Sequence, residues 1–300
     1  MEININYIWT EDNLRLQGIH YVGKDNDICV LFIHGMSGNF IENYFAHVLG
    51  EKLSKQGVGF IYGHNRGYNH INDIYKRKIG KEITYTTERH GATYERFNDC
   101  IYDINAWVNE VFRLGYKKIV LVGHSLGCNK VVHYIYKKSL RNLIGVILLS
   151  PPDMVANGKE SGKSKVYDKQ LSEAKRNIEN GHPRKLLSGT LWDWYTISSQ
   201  TFLDMFEDGC PADNLPIMRN PKSFPELESI KVPVFTIMGE FDDIVVRTLD
   251  DDISILEKRA TKAPSFDKEI IPKANHTYDQ QEDMLASSIV KWINKTYIKK

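Results

Sequence analysis

The sequence predicts an α/β protein, with a mostly parallel central sheet, helices on both of its faces and a helical segment inserted late in the chain. Three observations predict it. Short, unbroken apolar runs at Ile28 to Ile33, Ile119 to Val122 and Leu143 to Leu149 are the mark of strands buried on both faces. Longer stretches between them carry apolar residues at helical spacing, and strands alternating with such helices build a parallel sheet by crossover connections. The alternation fails once, from about Asp153 to Ser229, and an insertion between two strands of the sheet is the simplest reading.

Taken in order, Glu2 to Val22 reads as two short antiparallel strands around a Glu11-Asp12-Asn13 turn. The run Ile28 to Ile33 is broken by His34-Gly35-Met36-Ser37-Gly38-Asn39. A helix is expected from Ile41 to Gln56, with Phe45, Val48, Leu49 and Leu53 on one side, and then a strand from Val58 to Tyr62. Gly63 to Gly91 is polar and irregular and reads as a long surface excursion. A helix over Tyr94 to Leu114 carries the stripe Phe97, Ile101, Ile104, Trp107, Val108 and Val111, and Gly115 ends it. The strand Ile119 to Val122, a helix from Leu126 to Lys137 and the strand Leu143 to Leu149 lead to Ser150-Pro151-Pro152. Past the insertion come a strand Val232 to Met238, a helix Asp252 to Lys262, a strand Phe266 to Ile271 and an amphipathic helix Glu282 to Tyr297. The expected organisation is a core of residues 1–152 and 230–300 with a cap over 153–229. That cap opens on a polar run, Asn157 to Lys165, and holds an aromatic cluster of Trp192, Trp194, Tyr195 and Phe202.

With 300 residues the chain suffices for one large domain with an insertion. Its 39 basic and 38 acidic residues are mixed along the chain, so nothing calls for nucleic acid or an anionic membrane as partner. No run approaches the ~18 apolar residues of a membrane-spanning helix, and the N-terminus shows no basic region followed by an apolar stretch. Cys29, Cys100, Cys128 and Cys210 form no C-x-x-C pair. Buried free thiols in a cytoplasmic protein are the expectation.

Gly123-His124-Ser125-Leu126-Gly127 fits G-x-S-x-G. Five residues alone say little, and the setting says more. A buried strand enters the motif and a helix leaves it, so Ser125 belongs on a tight turn that pushes its hydroxyl out above the sheet. The flanking glycines let the neighbouring strand and helix come close. On these residues the chain resembles the α/β-hydrolase superfamily of serine hydrolases, over nearly its whole length outside the cap. The resemblance implies the α/β-hydrolase fold.

A serine hydroxyl is a poor nucleophile at neutral pH and needs a base, itself oriented by a carboxylate. The resemblance implies the order serine, acid, histidine. His276 lies between the last strand and the last helix, where the family's histidine loop falls; His182, in Gly181-His182-Pro183, reads as structural. Gly239-Glu240-Phe241-Asp242-Asp243-Ile244-Val245 resembles the family's acid loop, G-x-x-D-x-x-V, and implies Asp242 as the acid. Asp243 is the adjacent alternative, and Asp153 holds the position used by some members. Two backbone N–H groups should meet the oxyanion. They are those of Leu126 and of Met36, with Ser37 as second choice, in His34-Gly35-Met36-Ser37-Gly38, which resembles H-G-x-x-G. Ser37, His124, Trp192, Trp194 and Tyr195 are candidates for the substrate pocket, although such aromatics also serve to pack cap on core. His64, Asn65 and Arg66 are expected near its rim without a chemical role.

The leading functional expectation is an ester hydrolase working through an acyl-enzyme. Arg89-His90-Gly91-Ala92-Thr93-Tyr94-Glu95 and Ser150-Pro151-Pro152-Asp153 resemble, over short stretches, a branch containing siderophore esterases. That resemblance points to ester or lactone bonds in bulky natural products, macrolides included. An acyltransferase using the same triad and a non-enzymatic ligand receptor are the other readings. A transferred ester in the presence of an acceptor would mark the first, and negligible turnover of activated esters the second. The expected partner is a small-molecule ester, with no cofactor, no metal, no nucleic acid and no membrane, and the chain is expected as a monomer or homodimer. H-E-x-x-H and comparable ligand spacings are absent from the sequence.

Overall fold

The computed structural model describes residues 1–24, 27–160, 163–193 and 195–298. The first third of the chain contains β1 (Ile3–Trp9), β2 (Arg15–Tyr21), β3 (Ile28–Ile33), α1 (Tyr44–Lys55), β4 (Gly59–Gly63), β5 (Asn72–Ile79) and β6 (Ile83–His90). A 3-10 turn at Phe97–Asp99 leads into α2 (Cys100–Arg113), β7 (Lys118–His124), α3 (Leu126–Lys137) and β8 (Leu143–Leu149). The inserted segment holds α4 (Met154–Glu160), α5 (Lys163–Glu179), α6 (Ser199–Phe206) and α7 (Pro225–Glu228). The core resumes with β9 (Val234–Gly239), α8 (Leu249–Arg259), β10 (Phe266–Ile271) and α9 (Glu282–Ile293), and the described chain ends in a π-helical turn, Asn294–Ile298.

Among the described residues eight strands form one sheet in the order β1-β2-β4-β3-β7-β8-β9-β10. β1 and β2 are antiparallel to their neighbours and the other pairings are parallel. Alternate residues of the central strands feed two cores. Cys29, Leu31, Ile33, Ile119, Leu121, Val146 and Leu148 pack with α2, α3 and Leu256 of α8. Val30, Phe32, Val120, Val122, Ile147 and Leu149 pack with α1 and α9 on the other side. Double burial explains why these strands read as unbroken apolar runs, and the doubly covered, mostly parallel sheet is the α/β-hydrolase fold.

Local chemistry accounts for the departures from expectation. α1 begins at Tyr44 because the Asn39 side chain accepts the N–H groups of Ile41 and Glu42 at 3.0 and 2.9 Å, which holds those residues in a turn. β9 begins at Val234, just past Pro233, which has no N–H for a ladder. The polar excursion is a correction: β5 and β6 form a two-stranded hairpin with Ile79 opposite Ile83. Its Tyr75, Ile79, Ile83 and Tyr85 are exposed, while Ile74 is buried in the core. Another correction concerns Asn157 to Lys165, most of which is helical, within α4 and α5; residues 161 and 162 lie outside the described residues.

The inserted segment builds a third apolar cluster from Met154, Tyr167, Leu187, Leu191, Tyr195, Phe202, Met205 and Phe206. Ala92, Phe97 and Leu126 join it from the sheet domain, with Met36 partly buried against it. Each fully buried Phe contributes about 1.5–3 kcal/mol relative to exposure. Among the described residues no helix is long and apolar enough to cross a membrane.

Candidate active site

The carboxyl ends of four neighbouring strands meet at one edge of the sheet. The ladder closes there with Ser125 N–H to Leu149 O at 2.9 Å, Ser150 N–H to Ile237 O at 2.9 Å and Glu240 N–H to Ile271 O at 3.0 Å. Ligands of open α/β sheets bind at this end.

Ser125 follows β7 directly and has φ 54° and ψ −133°, while Leu126 opens α3. A non-glycine residue in that region is strained, and the strain persists only where the surroundings over-determine it. Here they do. A Cβ on Gly123 would lie 2.5 Å from the Gly127 carbonyl oxygen, and one on Gly127 would run into the carbonyl oxygen of Ile33. Gly35 is similarly confined: its Cβ would come 2.8 Å from Ser125 Cβ and 3.2 Å from Leu126 N. The loop after β3 therefore lies directly against the serine. Leu126, as first residue of its helix, has an N–H with no acceptor inside the helix.

His34 fixes that loop. Its Nε2 accepts the Asn65 N–H at 2.8 Å, so Nδ1 carries the proton and donates to Gly35 O at 2.8 Å. Burial holds its pKa well below the ordinary histidine value, with Lys130 adding to the effect, and the ring stays neutral. Since the peptide linking Gly35 to Met36 is planar and trans, a carbonyl turned toward His34 leaves the Met36 N–H pointing the opposite way.

Asp242 and His276 sit on the loops after β9 and β10, and His276 Nδ1 bonds to Asp242 Oδ1 at 2.9 Å. Burial works to raise the Asp242 carboxyl but is outweighed by the hydrogen bond and charge of His276, helped by the Ser150 hydroxyl and the Ile244 N–H, so it lies below the usual aspartate value. Tyr278, buried two residues after His276, donates its hydroxyl to Ile237 O at 3.0 Å and meets Ser150 Oγ at 2.8 Å. Of the three carboxylates considered as acid, Asp242 is the one bonded to His276. Asp243 is exposed beside it. Asp153 is committed elsewhere, accepting the Ala156 N–H at 3.0 Å and the Met218 N–H at 2.9 Å. Among the described residues, Asp242, Asp243 and His276 are the one group whose donor atoms gather within the reach of a metal ion, all within 4.8 Å of one another. The bond between His276 Nδ1 and Asp242 makes it an aspartate–histidine pair with a neighbouring carboxylate.

The pocket candidates divide. Ser37 has a left-handed backbone, φ 50°, and its side chain lies near the Tyr195 phenol, whose pKa burial pushes up. Tyr195 also packs on His70, ring centroids 4.5 Å apart. Trp192 is partly buried in the third cluster, at 6.2 Å from the Tyr195 ring. Trp194 lies outside the described residues. His124 is buried, and its Nε2 bonds to the backbone oxygen of His276 at 2.9 Å. His64, Asn65 and Arg66 are corrected, being buried rather than at a rim. Arg66 binds Asp103, Asp12 and Asp99 through its guanidinium. Beneath the serine's helix lies a second internal ion pair, Lys130 Nζ to Glu95 Oε1 at 2.5 Å, with both side chains fully buried.

Sequence reasoning gave no role to His34, Ser150, Tyr278, Glu95 or Lys130. His34 and Ser150 stood in motifs that carried a local signal, H-G-x-x-G and Ser150-Pro151-Pro152, whereas the Ser150–Tyr278 and Glu95–Lys130 contacts join residues far apart in sequence.

No curated protein matches the sequence. Solved structures do match, across nearly the full chain. Est1E from Butyrivibrio proteoclasticus is 17% identical with a TM-score of 0.64, covering 98% of this chain and 99% of that one. The Pyrococcus furiosus esterase Pf2001 is 17% identical with a TM-score of 0.61, covering 98% and 91%. The α/β hydrolase GrgF from Penicillium sp. sh18 is 13% identical with a TM-score of 0.62, covering 99% of both. These likenesses show a shared α/β-hydrolase fold. The model of a family described as a protein of unknown function (DUF1749) matches residues 96–298, more than half of the chain, and the chain belongs to that family.

Proposed function

We propose that the protein is a serine ester hydrolase. Ser125 Oγ attacks the ester carbonyl carbon while His276 Nε2 takes the hydroxyl proton. Asp242 holds the Nδ1–H tautomer and stabilises the imidazolium. The N–H groups of Met36 and Leu126 receive the oxyanion. His276 then gives its proton to the leaving alcohol, and water, activated by the same histidine, releases the acyl group and restores Ser125. The observation that carries this reading is the His276–Asp242 hydrogen bond on the loops after β9 and β10, with the His276 main chain 2.9 Å from the side chain of His124, the residue before the strained Ser125.

We further infer that residues 153–229 act as a cap that shapes the substrate site. Support comes from the third apolar cluster, in which Leu126 and Met36 share packing with Trp192, Tyr195 and Leu191. An aromatic, apolar roof of this kind suits a bulky ester or a macrocyclic lactone better than a small polar one. A solved structure of Est1E holds ferulic acid, which argues for including aryl esters in any screen.

The test is turnover of short p-nitrophenyl esters, aryl esters and a panel of macrolactones by wild type and Ser125→Ala. The alanine variant is expected to lose at least ~10⁴-fold in kcat. Full activity in that variant would sink the reading, and a transferred ester accumulating with an added alcohol would redirect it to acyl transfer.

A further inference from the structure

The serine and its base are joined by a contact that the reaction as written does not use. His124, the residue immediately before Ser125, ends β7 and is buried. Its ring packs against Phe45 at 5.1 Å and Tyr278 at 6.2 Å, and stands 5.0 Å from the His276 ring. Its Nε2 lies 2.9 Å from the main-chain oxygen of His276. A carbonyl only accepts, so Nε2 must carry the proton and donate it. Burial, with His276 nearby, lowers its pKa to about 3, so this ring stays neutral beside a histidine that becomes cationic during turnover.

His276 rides on a loop between β10 and α9, and loops are the mobile parts of a fold. The Asp242 bond fixes the direction of its ring but acts at the far end of the side chain. Neighbouring anchors, Phe241 N–H to Ala274 O at 2.8 Å and Tyr278 N–H to Asn275 O at 3.1 Å, hold the loop on either side. The His276 carbonyl is held from the elbow itself. A base that must reach a hydroxyl is sensitive to displacements of about 1 Å, which can lower rates by about a hundredfold.

We propose that His124 is a positioning residue for His276. By donating its Nε2–H to the His276 carbonyl, it ties the base's backbone to the peptide that carries the nucleophile, so that Ser125 and His276 keep their spacing through the cycle. The proposal rests on the serine-hydrolase reading above. It differs from the expected pocket role in acting through the base's main chain rather than through substrate.

Two variants of nearly equal size separate donor from filler. His124→Gln keeps an N–H at about the reach of Nε2, whereas His124→Met fills the same space without one. Both are compared with wild type for kcat and KM on a short p-nitrophenyl ester. The rate at which a fluorophosphonate labels Ser125 is measured in parallel. His124→Met is expected to lose about tenfold or more in kcat and in labelling rate, with KM within about twofold. His124→Gln is expected to recover to within about threefold of wild type. Equal losses in the two variants, or a normal rate in His124→Met, would overturn the positioning role while leaving the serine-hydrolase reading intact. A wild-type Ser125 that is never labelled would instead overturn that reading and this one together.

Discussion

The turn that carries Ser125 and the segment above it are held in opposite ways. Around the serine, backbone meets backbone: Gly123, Gly127 and Gly35 each leave no room for a methyl group, and the strained residue between them has nowhere to relax. The inserted segment is fastened by side chains and isolated backbone bonds instead. Thr93 O accepts from Ser198 N at 2.9 Å and Thr201 Oγ1 at 3.1 Å, and Arg96 Nε donates to Asp204 at 2.7 Å. Trp192 and Asp193 sit there in consecutive left-handed positions. The difference teaches that the turn at Ser125 is fixed by close backbone contact, whereas the segment above it is fixed by side-chain packing and a few polar ties.

Four substitutions would break or sharpen this contrast. The largest effect is expected from Asp242→Asn, which should lower kcat roughly a hundredfold or more while leaving the fold intact. Steady-state kinetics check it, with Asp153→Asn as control. A near-normal rate for Asp242→Asn beside an inactive Asp153→Asn would move the acid to the other loop.

Lys130→Met comes next. It strands the buried Glu95 carboxylate, whose pKa burial already raises, and should lower stability by about 3–5 kcal/mol in urea unfolding. The double variant with Glu95→Gln should recover much of that loss. No recovery would mean that packing rather than charge pairing holds segment 91–96 to the serine's helix.

Trp192→Leu addresses the roof. A short p-nitrophenyl ester should be turned over with kcat/KM within about threefold of wild type. The bulkiest substrate should change by about tenfold, the scale of one altered apolar contact. Equal effects on both would place Trp192 in the machinery rather than in the selectivity.

Asp252→Asn is the gentlest. Burial pushes this carboxyl up to about 6, against the N–H groups of Val246 and Arg247. Its folded pKa therefore lies above the ordinary 3.8. Ionisation opposes folding from that pH upward, with the full penalty reached above about 6. Thermal melts should favour the variant by a few degrees at about pH 7.5, with the gap closing near pH 4. A gap that persists in acid would contradict a charge origin.

How much could be read in advance follows the same division. Strands buried on both faces announce themselves, and Leu143–Leu149, Phe266–Ile271 and the helix Leu126–Lys137 were legible to the residue. Ser125 was legible because a strained elbow requires glycines at fixed offsets. The β5–β6 hairpin was missed because it stands mostly exposed and its strands carry Lys76-Arg77-Lys78 and Thr86-Thr87 where an apolar alternation is sought. The burial of Arg66 was unreadable for another reason: a charged side chain goes inside only when Asp103, 37 residues away, arrives to meet it. His124 looked like pocket lining because the motif shows its neighbour and hides its partner, 152 residues downstream.

Ser125 follows β7, whereas Asp242 and His276 sit on the loops after β9 and β10, far downstream in the chain. On the proposed reading, nucleophile and base therefore meet only through the assembled sheet, and the His124 contact spans 152 residues. Loss of the β9–β10 edge would then silence Ser125 while leaving the glycines around its turn untouched.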